Sequence, residues 1–178
     1  MLHFVIALVV VQGLLLALLL VRNGMQLPAI EGKKLNDIEA VWQGNTRASL
    51  LFTMLVEFLS VGGALVGTAW FGFHHKMPEA FVHYLVLVYG VFIYESIVTW
   101  YKPMIFGGSS VDQVAKYKRV YGQTHHIVFR DFDEVCPNTV YVTIHVLILL
   151  TAGLIVLWGY EFIGEQLVLE VLDAAAVL

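Results

Sequence analysis

The chain has 178 residues, 59% of them hydrophobic and 13% charged, with a formal net charge of −4 and a mean hydropathy of +0.79. A soluble domain carries about 25% charged residues, so this composition excludes an ordinary soluble enzyme and predicts an integral membrane protein of one domain. No basic patch interleaved with aromatics offers a nucleic-acid surface, and the single cysteine, Cys136, excludes an internal disulfide and a Cys-x-x-Cys motif.

Four apolar segments approach the ~20 residues that a ~30 Å hydrocarbon core requires. They cover residues 2–21, 49–71, 80–101 and 139–160, and they predict an all-α, four-transmembrane-helix bundle. The first lacks a basic n-region, and Gln12 alone interrupts its apolar run, so it reads as an uncleaved anchor rather than a signal peptide. On the second, Thr53, Glu57, Ser60, Ala64 and Thr68 share one face at a 3.6 period. A carboxylate therefore sits on a small, polar stripe inside an apolar helix. Gly63 and Gly67 on the same span form a small-xxx-small motif that lets backbones approach, within the bundle or between protomers.

Arg22, Lys33, Lys34 and Arg47 in the loop 22–47, with Lys102, Lys116, Lys118, Arg119 and Arg130 in the loop 102–138, make nine of the ten basic residues. Lys76 lies on the other side. The positive-inside rule places both loops in the cytoplasm, or its equivalent, and both termini outside. Trp42, Trp100 and Tyr101 then mark the inner interface, and Trp70, Phe71, Phe73, Trp158 and Tyr160 the outer one. In the first loop Asn36 caps a short helix over 37–43, ended by Gly44. In the second, Gly107-Gly108 breaks the chain, Ser110 and Gln113 form a capping box, and a helix runs to Tyr121 with Gly122 after it. Pro137 suits the first turn of the fourth span. Glu161, Glu165, Glu170 and Asp173 fall near one stripe of the tail, which predicts an outer interfacial amphipathic helix over 161–178.

Three spans carry a deep ionisable residue: Glu57, Glu95 and His145. At 1.5 Å per residue they lie about 12, 10 and 10 Å from the inner ends of their helices, so they share a level. An intramembrane charge is by default a functional feature, and two carboxylates with an imidazole suit a divalent cation, a proton relay or a polar ligand. The plainer alternative is a set of hydrogen bonds that clasps the helices, each worth about 0.6 kcal/mol. A second group, His74, His75, Glu79 and His83 with His3 nearby, has a metal-like composition, Glu79 and His83 sharing a helix face; a polar turn at headgroup level explains it more simply. A third, His125, His126, Asp131, Asp133, Glu134 and Cys136, leads into the fourth span and reads first as a solvated acidic loop. Cys136 near a helix N-terminus has a setting that lowers thiol pKa, but no paired base is identifiable. The two span histidines, His83 and His145, lie at opposite ends, so a bis-histidine haem within one protomer is disfavoured. No P-loop, dinucleotide glycine motif or His-rich box is present.

Four spans, outside termini and a glutamate on the second span are similar in outline to the MAPEG family of glutathione- and eicosanoid-handling membrane trimers. Arg47 and Glu57 stand ten residues apart with no Asn between them, unlike that family's Arg…Asn…Glu pattern, so no residue role carries over. The expected function is a subunit of a membrane assembly, respiratory, transport or other, partnered by the bilayer and by further subunits or itself. Its Glu57/Glu95/His145 cluster would be an ion or proton relay or a structural clasp. The alternative is a small membrane enzyme with a metal or acid/base site for a lipid or quinone-like substrate.

Overall fold

The computed structural model describes residues 2–74, 77–127 and 135–176, with side chains of the last helix described through Gly159. Four of its helices are long and apolar enough to cross a membrane: α1 (Leu2–Gly24), α3 (Arg47–Phe73), α4 with its continuation (Glu79–Phe106), and the segment Thr139–Gly159 of α7 (Thr139–Ala176). Short helices α2 (Ile38–Gly44) and α6 (Val111–Tyr121), with a two-stranded ribbon of β1 (Ala29–Ile30) and β2 (Lys33–Lys34), fill the two long connections. The backbone of α7 is helical without a break at residue 160.

α1 is the central element, packed on both α3 and α7. Its buried residues Val5, Leu8, Gln12, Leu15, Leu19 and Arg22 recur at alternating spacings of three and four, which keeps one seam of a helix against its neighbours. α4 closes the bundle against α7 but meets α3 along a short stretch. That stretch is set by two glycines. A Cβ on Gly63 would sit 2.9 Å from the Tyr84 hydroxyl, and one on Gly67 would collide with the Phe81 ring. Gly63 and Gly67 therefore serve packing inside the bundle, where the Tyr84 hydroxyl donates to the Ser60 carbonyl at 2.8 Å.

Both long connections lie at one end of the bundle, here called the basic end, and are sewn together. The His125 amide donates to the Lys34 carbonyl at 2.8 Å, and Asn138 Nδ2 donates to the Thr124 hydroxyl and the Leu35 carbonyl at 3.3 and 3.4 Å. Asn36 is the buried hub: its amide donates to the carbonyls of Arg22 and Met25 and accepts from the Leu27 amide. That hub role displaces the cap expected of it. Asp37 caps α2 instead, accepting from the Ala40 amide, and Lys34 at 2.9 Å holds the Asp37 carboxyl below its usual range. The Ser110–Gln113 capping box forms as the sequence suggests, and Gly107 and Gly108 take positive φ of 72° and 93° where the chain turns. Pro137 lies two positions before Thr139, the first residue of α7, and so outside its first turn; Asn138 caps α7 by accepting from the Tyr141 amide at 3.0 Å.

His126 is buried in this seam, against the carbonyls of Tyr121 and Pro137. Burial pushes its pKa below the ordinary 6.5 despite the opposing help of the Tyr121 and Pro137 carbonyls, and Lys33 and His125 add a smaller like-charge repulsion. A histidine kept neutral by folding leaves stability intact above pH 6.5 and removes it as the unfolded chain takes up the proton. Thermal unfolding in detergent should therefore show a melting temperature that declines as pH drops from 7 to 5, and His126→Gln should flatten that decline. An unchanged slope in the variant would show that other groups carry it.

Candidate functional site

The site begins with the last turn of α1. A helical side chain leans toward the N-terminus of its helix, so Arg22 points back into the bundle rather than out into the loop. α3 runs the opposite way, and the same lean aims Glu57 toward the basic end. The two meet: Arg22 Nη2 donates to Glu57 Oε1 at 2.6 Å and to Oε2 at 2.9 Å, with 10% and 14% of the two side chains exposed. The Tyr141 ring covers the guanidinium, its centroid 4.9 Å from Cζ, a cation–π contact. Arg22 thus belongs to the core of the helix bundle and not to the loop.

α4 changes its winding where it passes this pair. Residues Ile97–Tyr101 form a π-helical turn between α4 (Glu79–Ser96) and α5 (Lys102–Phe106). One wide turn of this kind shifts the faces of the residues beyond it and is frequent at functional sites. Here it buries Trp100 against the rings of Tyr117, Tyr121 and Tyr141, and brings the Tyr101 hydroxyl to 3.1 Å from His145 Nδ1. The Tyr141 hydroxyl meets that of Tyr121 at 3.1 Å, extending the polar chain toward the basic end.

These groups line one cavity of about 110 Å³, walled by Arg22, Glu57, Glu95, Ser96, Trp100 and His145 among others. Glu57, Glu95 and His145 thus come to a common space, with a cation among them that sequence inspection had assigned to a loop. His145 is buried, Glu57 half-buried, and Glu95 exposed at the cavity's edge, with no hydrogen bond or ion pair among the described residues. Two larger spaces share its walls. One of about 550 Å³ opens at the basic end beside Gln113, Lys116 and Tyr117, and has Glu95, Trp100 and Tyr141 in common with the cavity. The other, about 460 Å³, is a groove between α3 and α4 that shares Thr53, Glu57, Phe92 and Glu95.

Among the described residues no three of His, Cys, Asp and Glu come close enough to hold a metal ion. The divalent-cation expectation for Glu57, Glu95 and His145 therefore gains no support: Arg22 occupies both carboxylate oxygens of Glu57 and Tyr101 takes one His145 nitrogen. At the opposite end, His83 and Glu79 form an exposed pair at 3.9 Å, and His74 Nδ1 lies 2.6 Å from the Trp70 carbonyl. The His3 ring lies 4.4 Å from that of Phe4, tilted by 41°. His75 lies outside the described residues, as do Asp131, Asp133 and Glu134 of the third group. His125 holds the start of α7, its Nδ1 2.7 Å from the Thr139 hydroxyl, and Cys136 is buried beside Met104 at 3.8 Å. His125, His126 and Cys136 are thus parts of a folded junction, where a solvated loop was expected.

Arg22, Tyr101 and Tyr141 are the site residues that sequence inspection missed. A signal for Arg22 existed: it continues the three-four seam of Leu8, Gln12, Leu15 and Leu19. Arg47, the basic residue of the MAPEG-like outline, is exposed in the first turn of α3 instead. Comparison with family models, curated proteins and solved structures gave no match, so function has to be argued from this geometry.

Removing one partner of a buried ion pair strands the other charge and costs about 3–5 kcal/mol. Glu57→Gln and Arg22→Met should each lower unfolding stability in mild detergent on that order, and the double variant should lose less than the sum. Additive losses would mean that the two groups do not interact.

Proposed function

We propose that this chain is a subunit of a membrane assembly in which Arg22–Glu57 clasps α1 to α3 and Glu95, with His145, passes protons or ions between the basic end and the interior of the bundle. The observation that carries this reading is the sharing of walls: Glu95 borders the central cavity, the opening at the basic end and the groove between α3 and α4. A relay needs a group that can exchange protons with two environments, and a carboxylate at a shared wall meets that need, whereas Glu57 is engaged by Arg22. His145, in contact with Tyr101, supplies the next exchangeable site.

The orientation proposed is cytoplasmic for the loops 22–47 and 102–138, with both termini outside. After Arg22 is moved into the core, eight basic residues remain at that end against Lys76 opposite, so the charge bias persists. The proposed partners are the bilayer and other membrane subunits or further copies of this chain. A second reading, a small membrane enzyme using Glu95 and His145 as acid and base on a lipid or quinone-like substrate, is favoured by the groove, which would admit an apolar molecule from the bilayer.

The test uses the protein as it purifies from native membranes in mild detergent, then reconstituted in vesicles that enclose a pH-sensitive dye. Other membrane proteins should copurify in fixed ratio. Proton uptake driven by an imposed potential should drop at least tenfold in Glu95→Gln while the melting temperature holds. Purification alone and as a monomer would remove the subunit reading, and unchanged uptake in Glu95→Gln would remove the relay.

A further inference from the structure

We propose that the groove between α3 and α4 binds a lipid-soluble amphiphile with a small neutral head that carries both an acceptor oxygen and a hydroxyl, as a quinol does. Its head would sit in the cavity beside Arg22 and Glu95 and its tail along the groove. This rests on the second reading above, a lipid or quinone-like substrate, and names its head; binding measured without turnover tests it apart from that activity.

Three observations carry it. Arg22 uses Nη2 on Glu57, yet its Nε is buried with no acceptor among the described residues, while nine-tenths of the side chain is covered. A buried N–H without a partner is costly, so the site has a donor in place for an acceptor that the chain does not itself supply. Glu95, at the junction of cavity and groove, is the complementary acceptor and is also unpartnered among the described residues. The unused donor and acceptor then select the head. A neutral head accepts from Arg22 Nε and donates to Glu95.

The groove suits a tail. Phe52, Val56, Leu87 and Val91 line it, and all four are exposed on the bundle surface. Toward the opposite end of the bundle the groove closes where Gly63 and Gly67 draw Tyr84 and Phe81 onto α3.

The protein in phosphatidylcholine nanodiscs, titrated with radiolabelled decylbenzoquinol, should show saturable binding at one site per chain. Decylbenzene, which has the tail and lacks the polar head, should only partition without saturation. Arg22→Lys keeps a positive charge opposite Glu57 and removes the Nε donor; it should weaken binding at least tenfold. Val91→Trp fills the groove at an exposed position one turn of α4 before Glu95 and should weaken binding by a similar factor with an unchanged melting temperature. Absence of saturable binding by the unaltered chain, equal saturation by decylbenzene, or full affinity in Val91→Trp would each overturn the proposal.

Discussion

The Arg22–Glu57 pair constrains everything around it. A lone charge at the centre of a membrane helix costs about 2.5–3.5 kcal/mol on insertion scales, and more where lipid and water cannot rearrange around it. Two such charges are tolerated here because each removes the other's cost, at 2.6 and 2.9 Å across α1 and α3. Rotating either helix by one residue, about 100°, would carry one partner out of reach, so the pair also fixes register. The Tyr141 ring over the guanidinium extends that hold to α7.

The same pair helps explain why the bundle is open on one side. α3 packs on α1 along its length and is tied to it at the basic end through Glu57, while it approaches α4 closely at Gly63 and Gly67. Toward the basic end from that approach, α3 and α4 part beside Glu95 and Phe92, and the groove is that gap. The π turn at Ile97–Tyr101 follows directly, returning α4 to the core by burying Trp100 among tyrosines and setting Tyr101 on His145. Clasp, cavity and groove are therefore consequences of one packing arrangement.

Much of this architecture was legible in the chain. Length and apolarity located the four spans, the Ser110–Gln113 box and Gly122 bounded α6, and a common 1.5 Å rise brought Glu57, Glu95 and His145 to one level. What escaped depends on direction and on long-range contact. Arg22 stands at the very end of an apolar run, where composition assigns a basic residue to the loop; only the lean of its side chain and the presence of Glu57 on an antiparallel neighbour decide otherwise. Ile97–Tyr101 contains neither glycine nor proline, and the local mark of the π turn is Pro103 just beyond it, which has no N–H to offer the Thr99 carbonyl. Asn36 read as a helix cap and His126 as part of a solvated acidic loop, because no local pattern marks the carbonyls of Arg22, Tyr121 and Pro137 against which they are buried.

The claim most exposed to test is that Glu57 is an ionised partner of Arg22 inside the bundle. Infrared difference spectroscopy of glutamate-labelled protein, comparing the unaltered chain with Glu57→Gln in a lipid environment at neutral pH, reads the protonation state of that one side chain. The ion pair predicts that the variant loses a band of the ionised carboxylate. Loss of a protonated carboxyl band instead would mean that Glu57 is neutral and that Arg22 is not its counter-ion, and the clasp would have to be abandoned.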